Sequence, residues 1–172
     1  MNTANKLTML RVVMIPIFLV LAYSGQNIWA FVVYITACIT DFLDGYIARN
    51  YNQTTNFGKF MDPLADKVLV LAAMCYFVEF GFMPGWVVAI VLFREFAVSG
   101  MRLIAVEQGK VIAAAWSGKV KTACTMVCLS ALILFWRIEL VRIGASALIL
   151  VTTIYSGIEY FWKNRDVFKN VQ

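Results

Sequence analysis

Four aspartates between residues 41 and 66 constrain this sequence more than any other feature, because they interrupt a chain that is otherwise strongly apolar. Hydrophobic residues make up 62% of the 172 residues, and the mean hydropathy is +0.77, whereas a soluble domain is only roughly half apolar. Carboxylates are costly in a membrane, so where they occur they usually serve a function. We therefore expect a single integral-membrane domain, residues 1–172, built around these acids.

Apolar segments separated by short polar breaks predict an all-α bundle of six transmembrane helices, with a short amphipathic lead-in before the first. Most of the charge-free cores are shorter than the roughly 20 residues that a spanning helix needs. Their polar ends are therefore expected to face protein or a water-filled cavity. Residues 107–121 are expected to form a loop or an interfacial stretch. The predicted spans are 1–23, 28–49, 62–82, 85–106, 122–136 and 143–162.

Lysine and arginine are divided unevenly between the two ends of these spans. Loops rich in positive charge stay in the cytoplasm, so both termini and the four aspartates are expected on the cytoplasmic face of the cell membrane. The net charge of +5 is attributed to anionic lipid and not to nucleic acid, because no long basic run is present. The poor end holds Arg137 and Arg142, whereas the rich end holds Lys6, Arg11, Arg49, Lys59, Lys67, Arg102, Lys110, Lys119, Lys121, Lys163, Arg165 and Lys169.

The aspartates form two pairs at helical spacing, since residues three or four apart share a helix face. Asp41 precedes Asp44 by three residues, and Asp62 precedes Asp66 by four. The chain contains no histidine, so its metal ligands would be carboxylates, which favour Mg²⁺, Mn²⁺ or Ca²⁺. Four carboxylates exceed what one Mg²⁺ usually takes, which is consistent with a two-metal site.

Small residues and one arginine accompany the acids. Gly45 follows Asp44 directly, and Gly58 precedes Asp62 by about one turn. A glycine costs about 1 kcal/mol in a helix interior, so these two, with Ala48, suggest room for a ligand or another backbone. Arg49 offers a planar fork suited to phosphate. Together these residues indicate a substrate that contains pyrophosphate.

Other interpretations of the charged residues remain open. The four acids could be solvated loop charges, or they could line a cation path or a proton relay. Arg94 and Glu95 could be a buried pair that serves only to satisfy itself. The four cysteines are expected to be free and to behave as small buried hydrophobic residues.

The spacing of this stretch resembles, without departure, the signature of the CDP-alcohol phosphotransferases. It reads D-x2-D-G-x2-A-R-x8-G-x3-D-x3-D from Asp41 to Asp66. The likeness extends to the stretches NKLTMLR, NFGKFMDPLADK, LFREFAVSGMRL and GKVKT, and so covers nearly the whole chain.

This resemblance implies a six-helix membrane enzyme that transfers a phosphatidyl group from CDP-diacylglycerol to sn-glycerol 3-phosphate and releases CMP. It also implies a homodimer and two divalent metal ions, Mg²⁺ or Mn²⁺, held by the four aspartates. Asp66 would be the base that takes the proton of the acceptor hydroxyl. The residues that would meet the CDP-lipid are Asn5, Thr8, Gly45, Ala48, Arg49 and Gly58.

The acceptor phosphate needs cations beyond the motif, and several lie nearby in the sequence. The hypothesis is that some of them clamp this phosphate, although positive-inside anchoring explains the two from the GKVKT stretch equally well. Rival functions are the same chemistry with inositol phosphate, serine or phosphatidylglycerol as acceptor, a membrane prenyltransferase, and a cation carrier. The candidate cations are Lys59, Arg94, Arg102, Lys119 and Lys121.

Overall fold

The computed structural model describes the backbone of residues 3–50, 56–109, 112 and 115–169, and the side chains of residues 7–41, 64–109, 112 and 115–167. Throughout these ranges the regular secondary structure is helical, which confirms the predicted all-α class. Six long helices are followed by one short one. They are α1 (Thr3–Tyr23), α2 (Asn27–Asn50), α3 (Asn56–Glu79), α4 (Gly85–Glu107), α5 (Trp116–Phe135), α6 (Glu139–Lys163) and α7 (Asp166–Lys169).

Two helices begin earlier than the apolar pattern predicts. α3 starts at Asn56 instead of residue 62, and α5 starts at Trp116 instead of residue 122. The expected loop at 107–121 is therefore wrong for its last six residues. The lysines that suggested a loop are compatible with a helix, because the Lys121 ammonium group finds a carboxylate inside the bundle.

Glycine and proline mark the helix ends. Gly25 follows α1 with φ of 76°, and Gly81 follows α3 with φ of 70°. Both values lie in the left-handed region that residues other than glycine rarely adopt, so each glycine permits a tight turn. Pro84 caps the start of α4 with extended backbone. Pro16 lies inside α1 without ending it.

The long helices pack as an interlocked bundle. α1 packs along α2 and α3, while α5 packs along α6 and α2, and α4 contacts α6 and α3. The central core draws large apolar side chains from every long helix. Among its most buried members are Phe18, Tyr34, Phe77, Val91, Leu129 and Ile149, each at most 1% exposed.

Within the part of the chain that the structure describes, two helices, α5 and α6, are long and apolar enough to cross a membrane by length and composition. The outer surface of the bundle is apolar well beyond these two. Large hydrophobic side chains are exposed on all six long helices, far more than a soluble monomer normally exposes. Examples are Val20, Ile28, Val68, Phe93, Phe96, Val127 and Leu140.

All five tryptophans lie at helix ends. Trp116 is the first residue of α5 and Trp136 directly follows its last. At about 1.5 Å per residue, these two positions are separated by about 30 Å, the thickness of a bilayer's hydrocarbon core. Tryptophan prefers the two interfaces of a membrane, so this spacing matches a bundle immersed in lipid. The remaining three are Trp29, Trp86 and Trp162.

Candidate active site

A buried ion pair joins the first helix to the aspartate stretch. Arg11 on α1 places Nη1 2.7 Å from Oδ1 of Asp41 on α2. The Arg11 side chain is fully buried, while that of Asp41 is 31% exposed. One carboxylate oxygen of Asp41 is therefore held by a cation in the core, while part of the side chain remains accessible to solvent. Thr8, one turn before Arg11, is also fully buried.

Asp66 on α3 is partly buried and lies within electrostatic range of Asp41, Arg11, Lys121 and Glu95. Its Oδ1 atom is inaccessible to solvent, and none of the described side chains or backbone groups donates a hydrogen bond to it. A buried carboxylate oxygen without a donor is expensive. Such an atom is suited to binding a cation or accepting a proton.

A second charged cluster lies on the other side of Asp66. Glu95 on α4 accepts hydrogen bonds from Arg94 Nη1 at 2.9 Å and from Lys121 Nζ at 2.8 Å through the same Oε1 atom. Arg94 Nη2 also donates to Ser156 Oγ on α6. The Arg94–Glu95 pair is thus part of a network that ties three helices together and does not simply satisfy itself.

These groups form one polar layer across the bundle, with a member from each long helix. It holds three cations and three carboxylates among the described side chains, so their formal charges balance. Asp44 and Asp62 lie three and four residues from layer members on the same helices, and would add two negative charges. The layer consists of Arg11, Asp41, Asp66, Arg94, Glu95, Lys121 and Ser156.

A cavity of about 250 Å³ opens beside Asp66 between α3, α4 and α5. Its polar lining comes from Asp66, Lys67, Glu95 and Lys121, with two threonines of α5. Lys67 donates to Ser99 Oγ at 2.9 Å. The remaining walls are apolar and reach the outer surface of the bundle at Phe96, which is 70% exposed. The cavity can therefore admit a molecule with a charged end and an apolar body.

The assignment of the four aspartates as metal ligands stays a prediction. Both aspartate pairs lie on continuous helices, as the spacing predicts. The side chains of Asp44 and Asp62 lie outside the described residues. Within the described part, no group of three or more acidic or cysteine side chains is close enough to hold a metal. The solvent-inaccessible, undonated oxygen of Asp66 and the all-oxygen donor set do fit a hard divalent cation.

The predicted CDP-lipid contacts fall mainly at the ends of helices. Gly45, Ala48 and Arg49 belong to the last turns of α2, and Gly58 to the first turn of α3. Gly45 and Gly58 have no side chain, and the side chains of Asn5, Ala48 and Arg49 lie outside the described residues, so these assignments stay predictions.

The structure separates the candidate acceptor cations. Arg94 and Lys121 meet at Glu95 beside Asp66. Arg102 lies further along α4, where its Nε donates to Tyr160 Oη at 3.0 Å. Lys119 is exposed and lies over the Trp116 ring at 5.8 Å. Lys59 is on α3, with its side chain outside the described part.

Sequence reasoning missed three residues of this region as site members. The sequence assigned Arg11 and Lys67 only to the excess of positive charge on the cytoplasmic side, and it assigned Glu95 only as a partner for Arg94. A fully buried arginine cannot be recognised from a position near a predicted helix end. Lys67 carried a usable signal, since it directly follows Asp66 at the start of an apolar run.

Comparison with known proteins identifies the same family that the aspartate motif resembles. The sequence model of the CDP-alcohol phosphatidyltransferase family matches residues 1–157. Proteins named CDP-diacylglycerol--glycerol-3-phosphate 3-phosphatidyltransferase are similar over almost the whole chain. The Bacillus subtilis protein is 39% identical over 98% of this chain and 97% of its own length. That of Sodalis glossinidius is 38% identical over 99% of both chains, and that of Pectobacterium atrosepticum is 38% identical over 92% of both.

The chain therefore belongs to the CDP-alcohol phosphatidyltransferase family. The family resemblance that the aspartate motif predicted is confirmed.

Proposed function

We propose that this protein transfers a phosphatidyl group from CDP-diacylglycerol to sn-glycerol 3-phosphate, giving phosphatidylglycerol phosphate and CMP. The observation that carries the proposal is the cavity in which Asp66 and Lys121 lie together, in a chain similar from end to end to enzymes named for this reaction. The cavity combines a carboxylate for the acceptor hydroxyl with a cation for its phosphate.

The reaction replaces a phosphoanhydride bond of the donor with a phosphoester bond to the acceptor. The acceptor hydroxyl oxygen bonds to the phosphorus that carries diacylglycerol, the bond from that phosphorus to the CMP oxygen breaks, and CMP leaves. Divalent metal ions, when bound to Asp41, Asp44, Asp62 and Asp66, supply positive charge against the pyrophosphate. Arg49 binds its phosphates, while Gly45, Ala48 and Gly58 leave room for the cytidine, with Asn5 and Thr8 alongside.

Asp66 takes the proton of the acceptor hydroxyl. Its undonated Oδ1 atom supports this role, because a general base needs a free lone pair within reach of the substrate. Neighbouring Asp41 is instead paired with Arg11. The apolar walls of the cavity exclude water, which would otherwise hydrolyse the lipid nucleotide.

Lys121 and Lys67 are the cations best placed for the acceptor phosphate, since both line the cavity beside Asp66. Lys67 is added here to the five cations that the sequence suggested for binding the acceptor phosphate. Arg94 acts through Glu95, which it holds at 2.9 Å. Arg102 and Lys119 lie on the same end of the bundle and attract anions to it.

The membrane arrangement is part of the proposal. Six helices span the cell membrane, with both termini and the polar layer on the cytoplasmic side, and two copies form a dimer. The tryptophan positions and the apolar outer surface support immersion of the whole bundle. The excess of lysine and arginine at the polar-layer end supports the orientation.

CMP release decides between this proposal and its rivals. Purified protein is given CDP-diacylglycerol, Mg²⁺ and, in separate reactions, glycerol 3-phosphate, inositol phosphate, serine or phosphatidylglycerol. CMP should appear with glycerol 3-phosphate at a rate well above the others. CMP release with serine alone would identify serine as the acceptor in place of glycerol 3-phosphate. The absence of CMP release with every acceptor would overturn the reaction class.

A further inference from the structure

A second cavity, of about 420 Å³, lies at the opposite end of the bundle from the polar layer. One wall is the turn between α3 and α4 at Phe82 together with the first turn of α4 at Trp86, and the other is the first three turns of α6. Asp66 and Glu79 are separated by 13 residues of α3, about 20 Å along the helix. This cavity is therefore distinct from the site proposed for phosphatidyl transfer.

Two buried polar atoms lie in the walls of this cavity without partners. Arg142 Nε and Ser146 Oγ are inaccessible to solvent, and no described group forms a hydrogen bond with either. Ser146 is only 8% exposed. The two residues are one turn apart on α6, so they share a face. Unsatisfied buried donors cost free energy that a bound acceptor would recover.

The cavity carries both signs of charge at its outer end. The Arg142 guanidinium lies 5.8 Å from the centre of the Phe82 ring, and Glu139, three residues earlier, is exposed. The described side chains form no ion pair between Glu139 and Arg142. One cation and one carboxylate on the same wall match a ligand that bears a phosphate and an amine.

Deeper in the cavity the lining becomes apolar. Moving along α6 from Glu139 toward the middle of the bundle, the wall continues through Ile143, Ala147 and Leu150. Ile143 is 61% exposed and Trp86 is 58% exposed. Charge at the membrane surface followed by apolar wall toward its centre is the polarity of a phospholipid, whereas a free phosphate would leave the apolar part uncovered.

We propose that this cavity binds a zwitterionic phospholipid with a primary amine, of the phosphatidylethanolamine type. Arg142 and Ser146 donate hydrogen bonds to its phosphate oxygens, and Glu139 accepts from its ammonium group. The acyl chains run along Ile143 and Leu150. The inference depends on immersion of the bundle in a membrane, but not on phosphatidyl transfer.

Native mass spectrometry of the full-length protein in detergent tests this assignment without any substrate. Phosphatidylethanolamine should be retained about tenfold more strongly than phosphatidylglycerol, and Asp66→Asn should retain it equally, which separates this site from the reaction. Arg142→Ala should reduce retention about tenfold or more, because a charge-assisted hydrogen bond is lost. Arg137→Ala is the matched control, since Arg137 lies over Trp136 at the same end and outside the cavity lining.

Ser146→Ala and Glu139→Gln make the test independent of how well Arg142→Ala folds. Each should weaken retention of phosphatidylethanolamine about threefold, and Glu139→Gln should leave phosphatidylglycerol unaffected. Unchanged retention in both variants, or in folded Arg142→Ala, would overturn the site. Equal retention of the two lipids would overturn the amine assignment. Complete displacement of the lipid by soluble phosphoethanolamine would show a site for a free anion instead.

Discussion

Arg11 Nη1 lies 2.7 Å from Asp41 Oδ1, and this pair couples the first helix of the chain to the first aspartate of the motif. The guanidinium is fully buried, so its charge must be balanced locally. The pair therefore fixes how α1 and α2 face each other. It also holds one oxygen of Asp41 in place, which orients the rest of the carboxylate.

Removing the Arg11 charge should cost both stability and turnover. Breaking a fully buried pair lowers the free energy of unfolding by about 3–5 kcal/mol. Because Asp41 is partly exposed, we expect a loss of about 2 kcal/mol. For a chain of this size, that loss lowers the melting temperature by about 5 °C. Thermal unfolding of Arg11→Leu in detergent measures the first effect and CMP release the second. Arg11→Lys should be intermediate, and exposed Arg137→Ala should be neutral. A neutral Arg11→Leu would contradict the role given to the pair.

Replacing Asp66 with asparagine should abolish turnover while leaving the fold intact. The amide cannot accept the acceptor's proton, and loss of a general base typically costs 10²- to 10⁴-fold. Helical content by circular dichroism and CMP release are measured on the same preparation. Glu107→Gln, at the exposed end of α4, is the control and should retain activity. Appreciable activity in Asp66→Asn would remove this residue as base.

Lys121→Met should raise the KM for glycerol 3-phosphate more than tenfold, because this variant loses a cation that lines the cavity and is paired with Glu95 at 2.8 Å. Lys119→Met, two residues earlier on the same helix, should have a much smaller effect, since Lys119 is exposed over Trp116. Initial rates over a range of acceptor concentrations separate KM from kcat. Equal KM changes in the two variants would favour general attraction of anions over a specific clamp.

Two glycines of α6 should differ in how their replacement by alanine changes stability. A Cβ at Gly157 would lie 3.3 Å from Arg94 Cγ, whereas at Gly144 it would meet nothing within 4 Å. Arg94 is held by Glu95 and Ser156 and has little freedom to move. Gly144→Ala should therefore raise stability by about 0.5–1 kcal/mol through helix propensity, measured by thermal unfolding. Gly157→Ala should not raise stability, and it should raise the KM for the acceptor. A stability gain equal to that of Gly144→Ala would argue against a fixed position of Arg94.

Chelation should stop the reaction without unfolding the bundle. The carboxylates proposed to bind metal lie at one end of a core that is otherwise closed by apolar packing, so the helices do not depend on the ion. EDTA should abolish CMP release, excess Mg²⁺ or Mn²⁺ should restore it, and circular dichroism should stay unchanged throughout. Full activity in EDTA would contradict the proposed role of the aspartates.

Periodicity and spacing predicted much of this architecture. Apolar runs located six helices, and the 41–66 spacing correctly placed each aspartate pair on one helix. Helix starts were less predictable, because Asn56 and Trp116 begin helices in polar stretches of the sequence. For α5, the charge of Lys121 is compensated by Glu95 on α4. Local sequence does not encode that compensation.

The polar layer itself could be predicted only in part. Asp41 and Asp66 stood out as acids in an apolar chain, but the meeting of Glu95 with Lys121 joins residues 26 positions apart. The burial of Arg11 likewise follows from packing of α1 against α2 and α3. Such long-range pairs depend on helix rotation, which a single sequence does not report.

The distribution of charge among the helices bears on how the chain is made. Among the described residues, only α5 and α6 reach the length and apolarity needed to cross a bilayer unaided, and they follow the other four long helices in the chain. Carboxylates on α2, α3 and α4 are poorly tolerated by lipid until cations from α1 and α5 reach them. In the proposed membrane arrangement, the early helices therefore reach their final insertion only after α5 has been synthesised, so assembly of the bundle depends on its later helices.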